Sequence, residues 1–227
     1  RLTNHEPEKK LQFAERLLNY NEVIRYDVIP AVAIPLYRFY DPDSFSRVIQ
    51  LDVSNCELTA SELSKLECFV KVKVLDISNN DLGDSAFAVC QRLPQLTKLY
   101  ACGIGLSDEG LSEIGKCSRL RALDLSENKL TDEGLRLLDN PSLLQLQLGG
   151  NAITDKGLRY LSESLRLRKL DISYTSVGFS GVRDMCLTHP ALETIWLAGT
   201  GITVQELREL QKLFPKVKFE HPEIGNH

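Results

Sequence analysis

The residues of this chain that are able to do chemistry never meet at catalytic spacing. His5, His189, His221 and His227 lie at the chain ends or on a segment that reads as a convex loop. None is placed to activate a serine or a cysteine. The six cysteines, at 56, 68, 90, 102, 117 and 186, contain no Cys-x-x-Cys pair and no neighbouring histidine cluster, which argues against a zinc site. Most of them read instead as small buried apolar side chains in a reducing compartment, with Cys102 set apart by its position. Gly149-Gly150 and Gly103-x-Gly105 are not followed by the Gly-Lys-Ser/Thr that a phosphate loop needs. Carboxylates are frequent, but no apolar pocket is evident that would raise the pKa of one of a pair. The sequence thus predicts no catalytic residues, no metal and no cofactor.

The elements that must position these side chains show themselves by repetition. The segment Val48-Ile-Gln-Leu51-Asp-Val53-Ser-Asn-Cys56-Glu-Leu58 returns as Val72-Lys-Val-Leu75-Asp-Ile77-Ser-Asn-Asn80-Asp-Leu82. Five further copies start at Leu96, Leu120, Leu143, Leu167 and Leu192. The second apolar residue of each copy falls at 51, 75, 99, 123, 146, 170 and 195, at intervals of 24, 24, 24, 23, 24 and 25. Alternation around Leu75 and Ile77 predicts a short strand with one face buried. Asp132-Glu-Gly-Leu135-Arg-Leu-Leu138 and Asp155-Lys-Gly-Leu158-Arg-Tyr-Leu161 predict a helix after the turn. The recurring phrase Thr-Asp-x-Gly-Leu supplies Thr and Asp as helix-capping candidates. One such unit cannot bury its own apolar stripe, so stacked neighbours must complete it.

The pattern Leu-x-x-Leu-x-Leu-x-x-Asn/Cys/Thr-x-Leu resembles the leucine-rich repeat family over about residues 48–219. The resemblance implies an α/β solenoid: a parallel concave sheet of about seven strands, convex helices and an N-terminal helical cap. The slot after each strand holds Cys56, Asn80, Ile104, Asn128, Asn151, Thr175 and Thr200. An asparagine there resembles the family's buried ladder, whose amides satisfy backbone groups of adjacent coils. Ile104 cannot hydrogen-bond, which predicts local irregularity over Cys102–Leu106.

The expected domains are a helical cap over 1–47, the repeats with a closing strand over 48–219, and a frayed tail over 220–227. Leu11, Ala14, Leu17 and Leu18 share one helical face in the cap. At the far end, Leu207, Leu210 and Leu213 form the last helical face and Val217-Lys-Phe219 the closing strand. Glu8-Lys-Lys-Leu11-Gln12…Leu17 and Arg25-Tyr-Asp27, leading directly into repeats, resemble in part the α subunit of Rab geranylgeranyltransferase. That resemblance implies an accessory domain without the prenyl-transfer site, although the Thr-Asp-x-Gly-Leu phrase departs from that family's repeats.

Side chains between the buried strand positions point out of the concave face. The central column reads Asp52, Asp76, Tyr100, Asp124, Gln147, Asp171 and Trp196, flanked by Ser54, Ser78, Cys102, Ser126, Gly149, Ser173 and Ala198. With Tyr174, the column and Cys102 are the candidate partner-binding residues. Tyr100 and Trp196 break the acidic run, and aromatics dominate binding hot spots. The aspartates read as repeat consensus at a solvated surface, and Arg166-Leu-Arg168-Lys169, with Arg119 and Arg121, as a solvated rim of the sheet.

Composition narrows the partners. About one residue in six is Leu, and the net charge is −4 with a pI near 5.7, a balance that argues against nucleic acid. No apolar run reaches the roughly 18 residues of a membrane span. The chain opens at Arg1, which reads as a fragment or a processed form without a secretory signal, with the cytoplasm as the expected compartment. The expected function is a non-catalytic module that recognises another protein on its concave face, as a monomer or as part of a larger chain or complex. The alternative is an accessory or regulatory domain: of the prenyltransferase, of a GTPase regulator, or of a ubiquitin-ligase substrate receptor, though no F-box-like segment is evident in 1–47.

Overall fold

The computed structural model describes residues 48–222 apart from 64, 65, 67, 68, 139, 164 and 165. The expected N-terminal cap lies outside the described residues. Eight three-residue strands are ordered in the sheet as they are in the chain: β1 (Gln50–Asp52), β2 (Val74–Asp76), β3 (Lys98–Tyr100), β4 (Ala122–Asp124), β5 (Gln145–Gln147), β6 (Lys169–Asp171), β7 (Thr194–Trp196) and β8 (Lys218–Glu220). Every pairing is parallel and in one register, so Leu51, Leu75, Leu99, Leu123, Leu146, Leu170, Ile195 and Phe219 stand side by side. Coils are numbered below by their strands. The closing strand ends at Glu220, one residue inside the stretch read as a frayed tail.

The stacked leucines form one continuous core. Val53, Ile77, Ala101, Leu125, Leu148, Ile172 and Leu197, two residues further along each strand, are completely buried. Helical segments supply the opposite wall through Leu63, Phe87, Leu111, Leu135, Leu158, Val182 and Leu207, and consecutive segments pack on one another. The helices Asp132–Leu137, Asp155–Arg159 and Val204–Leu213 begin at Thr131, Thr154 and Thr203, whose hydroxyls accept the N–H of Glu133, Lys156 and Glu206. The uncapped segments Gly83–Ala88 and Glu109–Lys116 wind as 3-10 helix.

Two polar ladders tie coil to coil. In the slot after the strand, Asn128 Nδ2 donates to the carbonyls of Ala101, Leu125 and Ser126 at 2.9, 2.9 and 3.1 Å. Its Oδ1 accepts the N–H of Ile104 and Leu106 at 3.1 and 3.0 Å. Asn80 does the same for coil 1, through Cys56 and Leu58. The amide therefore serves the preceding coil, and this displaces the irregularity expected at Cys102–Leu106. Coil 3 is satisfied by Asn128, and the deficit created by Ile104 falls on coil 2. There the Leu82 N–H turns to the carbonyl of Asn80 at 3.0 Å. Thr175 closes only its own turn, to Ile172 O at 2.6 Å, and coil 5 shows the same compensation, from Ile153 N–H to Asn151 O at 2.9 Å.

The second ladder explains Thr-Asp-x-Gly-Leu. The Thr caps its own helix, but the Asp reaches into the next coil. The Asp108 carboxylate accepts the Thr131 N–H (2.8 Å) and hydroxyl (2.5 Å), and Asp132 accepts those of Thr154 (2.8 and 2.6 Å). Asp84 holds Ser107 likewise, and Asp155 takes the Gly178 N–H and the Ser180 hydroxyl. The same carboxylates occupy the space where a Cβ would stand at Gly110, Gly134, Gly157 and Gly181. The expectation that this Asp caps its own helix is corrected accordingly.

A third link joins the convex side. His189 is 1% exposed, not on the open loop that the sequence suggested. Its Nε2 bonds Leu161 O in the preceding coil at 2.9 Å, while its Nδ1 lies 2.8 Å from the Thr188 hydroxyl. Asn140, in the equivalent place in the chain, donates to Ile114 O and Cys117 O at 3.3 and 3.0 Å.

Asn128→Ala is expected to cost about 1–3 kcal/mol in urea unfolding, because five bonds across two coils go with the amide. Thr200→Ala, which loses only the bond to Leu197 O at 2.8 Å, should cost less; an unshifted midpoint for Asn128→Ala would contradict the ladder. Gly157→Ala should destabilise by about 1–3 kcal/mol through overpacking. Adding Asp132→Ala should recover part of that loss, with a coupling of about 0.5–3 kcal/mol in a double-mutant cycle. Strict additivity would show that the carboxylate is not what excludes the side chain.

Candidate functional site

Strand alternation places Asp52, Asp76, Tyr100, Asp124, Gln147, Asp171 and Trp196 in one register column, half-buried on the concave face, and β8 adds Glu220 to it. Strands about 4.8 Å apart give a column of eight a length of roughly 34 Å. Tyr100 and Trp196, four strands apart, are separated along it by roughly 19 Å. They are two anchor points rather than one aromatic cluster.

The aspartates do local work. Asp52, Asp76, Asp124 and Asp171 each accept, through Oδ1, the backbone N–H two residues on, from Ser54, Ser78, Ser126 and Ser173, all at 2.9 Å. This is the Asx turn that ends the strand. The turn next requires a left-handed residue, and all seven repeat coils have one: Asn55, Asn79, Gly103, Glu127, Gly150, Tyr174 and Gly199 have φ between 53° and 70°. Sequence reading missed this column, although its Asn and Gly content was a usable signal. At three places a side chain lies over the following glycine: Asn79 over Gly103, Glu127 over Gly150, and Tyr174 over Gly199. Tyr174 thus stands beyond the central column, 68% exposed. Tyr100, Gln147 and Trp196 close no Asx turn; in the coil of Tyr100, the corresponding Cys102 N–H donates to Ser78 Oγ at 3.3 Å.

The electrostatics follow from the stacking. Burial, with the Asp52 carboxylate one coil before and that of Asp124 two coils after, pushes the Asp76 carboxyl above its ordinary 3.8, against the hydrogen bonds from Ser78. Cys102 is half-buried in the flanking column. Burial first, then Asp124, Glu127 and Asp76, push its thiol up, so it is held as the unreactive form. The buried Cys186 thiol is pushed up to about 12 by burial. Cys102 and Cys186 are free thiols, whereas Cys117 is disulfide-bonded, a departure from the expectation of reduced cysteines. Among the described residues no three His, Cys, Asp or Glu side chains converge as metal ligands would, and no helix is long and apolar enough to cross a membrane.

The fold and this surface define a class: a repeat solenoid that displays in-register columns of outward side chains on a parallel sheet. The sequence model of the leucine-rich repeat matches residues 70–86, 116–138 and 139–162. NACHT, LRR and PYD domains-containing protein 12 of Homo sapiens is 32% identical over 179 residues, covering 69% of this chain and 17% of that protein. The ribonuclease inhibitor of Sus scrofa is 29% identical over 191 residues, 72% of this chain and 42% of the inhibitor. F-box protein SKIP19 of Arabidopsis thaliana is 35% identical over 81 residues, 34% of this chain and 27% of that protein. An internalin (inlF) from Listeria monocytogenes shares the fold, with a TM-score of 0.57 at 18% identity over 80% of this chain and 49% of the internalin chain. The chain belongs to the leucine-rich repeat family, and it spans less than half the length of each of these relatives. The segments that resemble the prenyltransferase α subunit lie outside the described residues.

Asp76 yields a pH test. Its folded-state pKa lies above its unfolded value, so its contribution to stability is fully present below about 3.8 and is lost as the pH rises through the raised value. Asp76→Asn keeps the Oδ1 acceptor and removes the charge. The variant should be more stable than the parent at pH 7, and the gap should shrink towards pH 4 in denaturant titrations. A gap that is constant with pH would contradict the carboxylate crowding.

Proposed function

We propose that this chain is a non-catalytic recognition module that binds another protein across its concave face, with Tyr100 and Trp196 as the main anchors and Gln147 and Tyr174 beside them. One observation supports this reading best. The aspartates of the column spend an oxygen on ending their own strands, while Tyr100, Gln147 and Trp196 occupy the same rigid register without that duty. Their backbone is already ordered by the sheet, so contact with a partner costs little further backbone entropy. Leucine-rich repeat proteins generally mediate protein–protein interaction, which agrees with this use of the face. A shallow, open trough suits a peptide or a helix of a partner better than a small substrate.

The accessory-domain reading remains as the second one, favoured by the coverage: the chain corresponds to 17–42% of the relatives named above. The test is capture of partners from a native lysate, comparing the parent with Tyr100→Ala/Trp196→Ala. The double variant should keep the parent circular dichroism and unfolding midpoint and lose about 2 kcal/mol or more of binding to the main captured partner. Unchanged affinity in a folded variant would move the contact off these anchors.

A further inference from the structure

The edge where the chain enters each strand is charged in a way that neither the net charge nor the concave column suggests. Residues 73, 97, 121, 144, 168 and 193 form a backbone ladder along this edge: each carbonyl accepts from the following coil, Lys73 O from Thr97, Thr97 O from Arg121, Arg121 O from Leu144, Leu144 O from Arg168, Arg168 O from Glu193, and Glu193 O from Lys218. Coils 2, 4 and 6 carry two exposed cations each in equivalent positions, Lys71 and Lys73, Arg119 and Arg121, and Arg166 and Arg168; in coil 8 Lys216 and Lys218 stand one position further along the chain, with Lys218 in register with Thr194. The coils between them place Thr97, Leu144 and Glu193 on the same ladder. Two pairings answer this row: Arg168 with Glu193 at 3.0 Å, and Lys218 with Glu220. The Arg121 guanidinium lies along the edge, reaching the Ser142 carbonyl at 3.3 Å.

We propose that this strand-entry edge is a docking surface for an extended acidic segment of a partner protein, its carboxylates about three residues apart. The spacing carries the proposal. Two coils are roughly 9.6 Å, the reach of about three extended residues at roughly 3.3 Å each, so one carboxylate meets one cationic pair at each step. The three pairs cover roughly 19 Å, about six residues. The two arginine pairs suit bidentate carboxylate contacts. A nucleic acid fits poorly, because the carboxylates of Asp52, Asp76, Asp124, Asp171 and Glu220 run alongside on the concave face and would repel a second row of phosphates. The inference rests on the reading of the chain as a protein-binding module, but not on Tyr100 and Trp196.

The test is fluorescence anisotropy with a labelled, otherwise neutral peptide carrying Glu at every third position. The probes compared with it are a peptide of the same composition with contiguous Glu, single-stranded oligothymidylate, and phosphatidylserine vesicles. The spaced peptide should bind best and weaken as salt rises. Arg121→Glu/Arg168→Glu should weaken it by about tenfold or more, and Lys71→Gln/Lys73→Gln by less, each with parent circular dichroism. Lys212→Glu on the last helix and Tyr100→Ala/Trp196→Ala should leave it unchanged. Retained binding in the charge-reversed variant, absence of binding at low salt, no preference for the spaced peptide, or tighter binding to oligothymidylate or vesicles would overturn the proposal. Loss of binding in the aromatic variant alone would return the site to the concave face.

Discussion

A coil of 24 residues made of one short strand, a turn and a helical segment has an apolar wall on each side and nothing of its own to cover it. Stability comes only when the next coil repeats the same wall in the same register. The alignment of Leu51, Leu75, Leu99, Leu123, Leu146, Leu170, Ile195 and Phe219 is therefore the constraint on which everything else depends. Burying one such leucine completely is worth roughly 1.5–3 kcal/mol, but only if its neighbours on both sides stay in place. The polar ladders serve the same end. Buried turns leave backbone groups away from water, and the cost of leaving them unpaired is high enough that almost none can be tolerated. Asn80, Asn128 and Asn151 pair them from the following coil, so register and hydrogen bonding enforce each other.

The same constraint produces the surface. Once buried positions are locked in columns, the intervening positions are locked as well, and each outward column becomes a row with a fixed pitch. Four aspartates of the central row are tied to their own turns, and Tyr100, Gln147 and Trp196 share their placement without sharing that task. At the strand-entry edge, the pitch of the solenoid turns a scatter of lysines and arginines into pairs on alternate coils. Neither surface needs a pocket; both follow from periodicity.

Much of this was legible in the sequence, because Leu spacing alone sets the coil length, and strand alternation then assigns which side chains face out. What escaped were interactions whose partners lie one coil away. Asp132 and Asp155 look like local caps in the sequence because Thr154 and Gly178, which they hold, are 22 and 23 residues further on. Ile104 was expected to disturb its own coil, because nothing in the sequence says that a slot asparagine serves the coil before it. His189 was read as exposed from its place in a loop, yet Leu161 O in the preceding coil gives its ring a buried partner. Strand alternation alone is enough to line up the outward residues in one register. Their division into turn-forming aspartates and unencumbered side chains required bond geometry, as did the displacement of Tyr174 onto Gly199.

Hydrogen–deuterium exchange on Leu123→Ala, set against the parent, tests coil-to-coil completion of the core most directly. Truncating one central leucine should speed exchange in its own coil and in the strands of Leu99 and Leu146 on either side, with the effect fading towards β1 and β8. Faster exchange confined to residues 120–130, with both neighbours as protected as before, would mean that each coil holds its own interior.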